Sequence, residues 1–294
     1  MKVQTAFDAG EINFNGSHVL FVEGEPDSID VSVLSSVLDL SVKPLGSCAY
    51  VRSAALSLHL AFPNYYFLVD RDQMSDDEVE DLWKKFPRAD TPNLLAWRKK
   101  EIESYFIDPD YVIQSKYFVR GKKITDVQKA LVRAASPLVY MAAANCVIVS
   151  VREKLKRKWI EKFTDIRDFP DAGSALKKLL SVQEFGTQVH KMTSLTESDK
   201  LRQDFEEALR QLLGTCKKPV WGEGRWLELL PAKGLMHSLL GSSLFRVYDR
   251  NKKLLSGMPK VAEIIKDLVA PGKKYPADFI ELEHLLKLQM QGVS

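Results

Sequence analysis

Residues 18–27 read His-Val-Leu-Phe-Val-Glu-Gly-Glu-Pro-Asp, and residues 65–72 read Tyr-Tyr-Phe-Leu-Val-Asp-Arg-Asp. Each contains a short apolar run that ends on acid: His18–Val22 stops at Glu23, and Tyr65–Val69 stops at Asp70 and Asp72. A buried parallel strand reads as such a run, and the carboxyl ends of its strands are where an open α/β sheet places its ligands. A third acidic pair, Glu101 and Glu103, stands in Lys-Glu-Ile-Glu-Ser-Tyr-Phe. Carboxylates gathered at one sheet edge repel one another and raise each other's pKa unless a cation lies among them. The pattern therefore points to Mg²⁺ or Mn²⁺ and to phosphoryl chemistry.

Working outward, helix signals alternate with these strands. Ser28–Leu40 carries Ile29, Val33, Val37 and Leu40 near helical spacing, and a short strand at Val42–Leu45 ends at Gly46. Ser47–Leu60 reads as a second helix. Ser75, followed by Asp76, Asp77 and Glu78, starts a third, and Asn93–Trp97 reads as a fourth strand. The alternation predicts an α/β fold with a mostly parallel, Rossmann-like sheet. After Pro109 the pattern turns helical: Thr125–Phe163 broken at Pro137, Thr196–Leu213 with Thr196 as N-cap and Gly214 as stop, Lys233–Leu240, Val261–Val269 and Asp278–Gln289. Trp226–Leu230 is expected to return to the sheet as a strand. The chain is thus divided into a core at 1–115, a helical insertion at 116–220, and a final strand with C-terminal helices at 221–294.

The chain has 294 residues, 45% of them apolar and 28% charged, with a net charge of +3, enough for a sizeable core and a well-solvated surface. No apolar stretch reaches the roughly 18 residues of a membrane span, and residues 1–10 lack the apolar run of a secretory leader. Cys48, Cys146 and Cys216 are isolated and form no zinc spacing, which fits a reducing cytoplasm. Arg152–Lys162 holds six basic residues against two acidic ones, with smaller basic clusters at Arg98–Lys100 and Arg120–Lys123. Each reads either as a solvated helix face or as a polyanion surface. His18, His59, His190, His237 and His284 are dispersed, and Gly222-Glu223-Gly224 reads as a turn.

The order apolar strand–Glu-Gly-x-x-Asp (Phe21–Asp27), Gly46, then apolar strand–Asp-x-Asp (Leu68–Asp72) resembles the TOPRIM domain of topoisomerases, primases and OLD-type nucleases. Trp97–Pro109 is similar to the Arg…Glu-x-Glu-Asn-Tyr-Leu stretch of OLD-like TOPRIM nucleases, and Leu229–Lys233 to their Pro-Gly-Lys segment. Two positions depart from that pattern: Ser104 stands for Asn and Ala232 for Gly. By residue type, Glu23, Asp70 and Asp72 would hold one hard cation through oxygen ligands, and Glu101 or Glu103 would complete its shell or bind a second ion. Two ions about 4 Å apart would activate the attacking water and stabilise the leaving oxygen. The resemblance gives Lys233 the charge on the pentavalent phosphate.

Asp27 reads equally as a helix cap. Asp70-Arg71-Asp72 also resembles the first motif of haloacid-dehalogenase-like phosphatases, but it follows two earlier β-α units. A response-regulator receiver would leave most of the chain unexplained. No Gly-x-x-x-x-Gly-Lys-Ser/Thr loop occurs. A TOPRIM chain without its own ATPase, carrying a helical insertion, resembles the nuclease-subunit (AriB) family of PARIS anti-phage systems. That resemblance implies a toxic endonuclease held by an ABC-type ATPase partner, which on release dimerises and cuts host tRNA. An OLD-type DNA nuclease, or a non-catalytic subunit whose acidic cluster docks a partner, remain the alternatives.

Overall fold

The computed structural model describes residues 17–72, 74–86, 92–155 and 183–291. Its contacts gather residues up to Ala134, together with those from Pro231 onward, into one compact unit and Ala135–Leu230 into another.

The first unit is built on four strands, β1 (Val19–Val22), β2 (Ser41–Pro44), β3 (Tyr65–Val69) and β4 (Leu94–Ala96), in the order β2-β1-β3-β4 and all parallel. This is the expected Rossmann-like α/β fold, and among the described residues its sheet is wholly parallel. The central strands β1 and β3 are buried at every position, which is why they read as unbroken apolar runs. The edge strand β2 alternates exposed and buried residues and ends on Pro44, where no further ladder bond is needed. Val19 pairs with Tyr65 and Val22 with Leu68, so Glu23 leaves β1 level with Val69, the last residue of β3, and Asp70 follows one residue later at the same end of the sheet.

Three helices join the strands: α1 (Ile29–Val37), α2 (Cys48–Leu58) and α3 (Asp76–Lys85). Ser28 caps α1 by accepting the Val31 N–H, so the cap is Ser28, while Asp27 is exposed. In α3 the capping box is complete: Ser75 Oγ accepts the Glu78 N–H at 3.2 Å and Glu78 Oε2 accepts the Ser75 N–H at 2.7 Å. Asp76, Asp77 and Glu78 open this helix and Lys84 and Lys85 close it, in line with the helix dipole. Trp83 Nε1 donates to the Ala96 carbonyl at 2.8 Å and fastens α3 to β4.

Beyond β4, a 3₁₀ turn at Ile102–Ile107 leads into the one-turn α4 (Pro109–Val112) and then α5 (Ile124–Ala135). The unit is completed by α10 (Ala232–Gly241), α11 (Gly257–Leu268) and α12 (Ala277–Met290). Trp97, Tyr105 and Phe279 meet with ring centroids 5.0–5.4 Å apart and tie the 3₁₀ turn to α12. Arg98 reinforces the same junction: it lies 4.1 Å over the Trp83 ring and bonds Glu80 and Glu281 at 2.6 Å and Asp278 at 3.2 Å.

In the second unit, α6 (Val139–Leu155) packs beside α8 (Ser198–Leu213), with α7 (Gln183–Thr196) and the single turn α9 (Trp226–Leu229). Pro137 separates α5 from α6, as its ring and missing N–H require. Two expectations are corrected here. Trp226–Leu230 is no strand: Trp226 is buried in a helical turn and its Nε1 donates to the Val220 carbonyl at 3.0 Å. A five-residue apolar run fits either conformation, and here the local turn contacts decide. Thr196 closes α7, donating its hydroxyl to Met192 O, and α8 begins after Glu197; Gly214, at φ 62°, ends α8 as expected. Among the described residues no single helix is long and apolar enough to cross a membrane.

Candidate functional site

Four loops at the carboxyl end of the sheet are bonded to one another. Gly24, after β1, and Gly46, after β2, exchange backbone hydrogen bonds of 2.8 and 3.2 Å. Gly24 has φ +95°, and a Cβ there would stand 2.8 Å from Ser28 Cβ, so the turn that carries Glu23 accepts only glycine. Glu23 Oε1 accepts the Asp70 N–H at 2.8 Å, which ties β1 to β3 through a candidate site residue. The Arg71 N–H bonds the Lys100 carbonyl at 3.0 Å, and its guanidinium bonds Met74 O, Arg98 O and Asp76, joining the β3 loop to the β4 loop. Finally Glu101 Oε1 accepts the Lys233 N–H at 2.9 Å and holds the first turn of α10 against the 3₁₀ turn.

The carboxylates are close enough to raise one another's pKa. Asp70 is pushed up to about 9, first by desolvation and then by Asp30, Glu23, Glu101 and Glu103. Asp30 is pushed up to about 7 by desolvation and by Glu103 and Glu23, against a hydrogen bond from the Trp97 indole. Burial also raises Glu103, reinforced by Glu101 and opposed by Lys233. Burial raises Glu23, opposed by the Asp70 N–H, a Cys48 thiol hydrogen bond and Arg52; Asp72 adds to the rise. Of the expected residues, Glu23, Glu101 and Glu103 thus all act on Asp70, and Glu101 also acts on Glu103. Asp72 is exposed at φ 50° and acts on Glu23, and Lys233 is exposed and acts on Glu103. Ser104, next to Glu103, is buried with its hydroxyl unpartnered.

No protein-family model matches this chain, and no curated protein matches it. The site therefore rests on its own chemistry.

Asp30 is the residue that the sequence reading missed. It lies in the first turn of α1, one turn before the buried Val33 and Leu34 and two before Val37, so it interrupts the helix's apolar stripe. A carboxylate on a core-facing stripe was the available signal; it was obscured because acid in a first turn ordinarily serves the helix dipole.

Among the described residues, no group of three or more Asp, Glu, His or Cys side chains converges in the way that holding a metal ion requires. The donor set nevertheless fits a hard divalent cation in its chemistry. It is nearly all carboxylate oxygen, and burial, reinforced by the neighbouring acids, pushes Asp70 up to about 9. Of the basic clusters, Arg98 is engaged within the fold, whereas Arg120, Lys122 and Lys123 are exposed on the turn before α5. Most of Arg152–Lys162 lies outside the described residues.

Proposed function

We propose that this chain is a Mg²⁺- or Mn²⁺-dependent TOPRIM endonuclease. The observation that carries the reading is the acidic group at the switch point of the sheet. Glu23 and Asp70 directly follow the two central strands and are joined through the Asp70 N–H, with Glu101, Glu103 and Asp30 acting on Asp70. In open α/β sheets that crevice is where ligands bind. Glu23, Asp70 and Asp72 would hold the ion, with Glu103 and Glu101 adjoining. When bound, the cation supplies charge to the scissile phosphate and a more acidic water.

The chain's own residues prepare for this. The Asp70 N–H fixes the Glu23 carboxylate, so its second oxygen has a set direction. The Glu101 carboxylate orients the first turn of α10 and thereby places Lys233 beside Glu103, where its ammonium would meet a phosphate oxygen.

From the resemblance comes the finer reading: a cytoplasmic toxic effector of anti-phage defence, restrained by an ABC-type ATPase and cleaving host tRNA as a homodimer after release. The test is cleavage of total cellular RNA and of plasmid DNA with Mg²⁺ or Mn²⁺, beside Glu23→Ala. Discrete tRNA fragments that the variant does not produce are expected. DNA nicking lost in the variant would move the chain to the OLD-type DNA nucleases. Activity unchanged in Glu23→Ala would remove the site assignment. A carboxylate cluster with no cation requirement, in the presence of the ATPase and its trigger, would leave a docking subunit.

A further inference from the structure

Arg52 lies one turn after Cys48 in α2, and long helical side chains lean back toward the helix N-terminus, here toward the loops that carry Glu23 and Asp70. It is partly buried. Its Nε donates to Cys48 Sγ and its Nη2 to Met74 Sδ, both at 3.1 Å. Cys48 and Arg52 both hold down the Glu23 pKa against burial, so the Cys48–Arg52–Met74 contacts lie beside the acidic group.

The acceptors are the unusual part. Arg71 and Arg98 each reach a carboxylate, whereas among the described residues no carboxylate stands within ion-pair distance of Arg52, although Glu23 and Glu78 feel its charge. Thioether and thiol sulfur are weak acceptors and carry no charge here. They aim the guanidinium fork without neutralising it, and they leave donors over. Beside a dense group of carboxylates, an arginine held this way keeps its charge for an incoming anion.

We propose that Arg52 is a substrate contact, donating to a non-bridging phosphate oxygen of the nucleic-acid strand laid across the carboxylates. The inference rests on the nuclease reading. Planar guanidinium suits phosphate better than an ammonium does, because two parallel N–H bonds can form. Its competitor is a structural role, in which Arg52 merely offsets the charge of Glu23.

Arg52→Gln and Arg52→Lys separate the two in the full chain. Mn²⁺ affinity is measured by calorimetry, and cleavage of total tRNA, or of plasmid if that is what the wild type cuts, is measured across a salt series. If Arg52 contacts phosphate, Arg52→Gln binds Mn²⁺ at least as tightly as wild type, since a nearby positive charge is gone. Its cleavage falls about 10- to 100-fold, mostly in KM, the slope of log affinity against log salt shrinks by about one, and Arg52→Lys recovers part of the loss. Wild-type cleavage and salt slope in Arg52→Gln overturn the assignment. Loss of Mn²⁺ binding in Arg52→Gln overturns it in favour of the structural role. A wild type that neither binds Mn²⁺ nor cuts either substrate overturns the nuclease reading first, and this inference with it.

Discussion

At the residue scale, the folded protein holds protons on carboxyls that an unfolded chain would release near pH 4. Asp30 is raised to about 7 and Asp70 to about 9, with Glu23 and Glu103 raised as well. Between those limits the native state binds more protons than the unfolded one, so stability falls as pH rises. Thermal unfolding of metal-free protein at pH 5, 7 and 9 is expected to show a descending Tm; a Tm that climbs over this range contradicts the coupling described. Asp30→Asn removes one charge and retains an acceptor for the Trp97 indole. At pH 8 it is expected to stabilise the metal-free protein by about 1 kcal/mol, the size of one pKa unit of relieved repulsion, and to flatten the pH slope. Chemical denaturation of the pair measures this, and a destabilised variant would show that Asp30 is a satisfied core acid.

The loops between elements, rather than the strands themselves, align the site. Of the two glycines that join the β1 and β2 loops, Gly24 is the tighter, with a positive φ and Ser28 Cβ 2.8 Å from where its own Cβ would be. Gly24→Ala is expected to cost roughly 1–3 kcal/mol from backbone strain and contact, and to lower cleavage as well, because the turn sets the Glu23 position. Urea unfolding with a parallel activity assay checks both; an unchanged midpoint would mean that the turn relaxes freely. Ser75→Ala removes the reciprocal cap of α3 and is expected to cost about 1 kcal/mol. Its cleavage should persist, because Ser75 only opens the helix after the Asp70–Asp72 loop. Comparing the two variants separates loss of stability from loss of site geometry.

Across the whole molecule, the sheet places acid from widely separated stretches of chain at one end, and the cation proposed to bind there would offset that repulsion only in the folded state. At a hundredfold excess over Kd, Mg²⁺ or Mn²⁺ should stabilise the fold by about 2.7 kcal/mol and reduce the descent of Tm with pH. The shift should shrink in Glu23→Gln, which retains an acceptor for the Asp70 N–H. Equal shifts in wild type and variant would place cation binding elsewhere.

Much of this arrangement was legible in the residues. Buried central strands must be apolar throughout and must stop where the chain meets solvent, so Val19–Val22 and Tyr65–Val69, each followed by acid, marked both the sheet and its acidic end. The capping box at Ser75 and the stop at Gly214 are local chemistry and were readable for the same reason. Other features depend on what a segment packs against. The turn at Trp226–Leu229 took its shape from a bond to Val220, and the boundary near Thr196 from the helix before it. Asp30 and Arg52 acquired meaning only through neighbours distant in sequence: Asp30 through Glu103, Arg52 through Met74. Strand pattern and end acidity belong to the sequence, because burial and solvation act on each segment alone. Which acids act on one another, and which cations stand beside them, was decided by the tertiary structure, because Coulomb interaction depends on distance in space and on shielding from water.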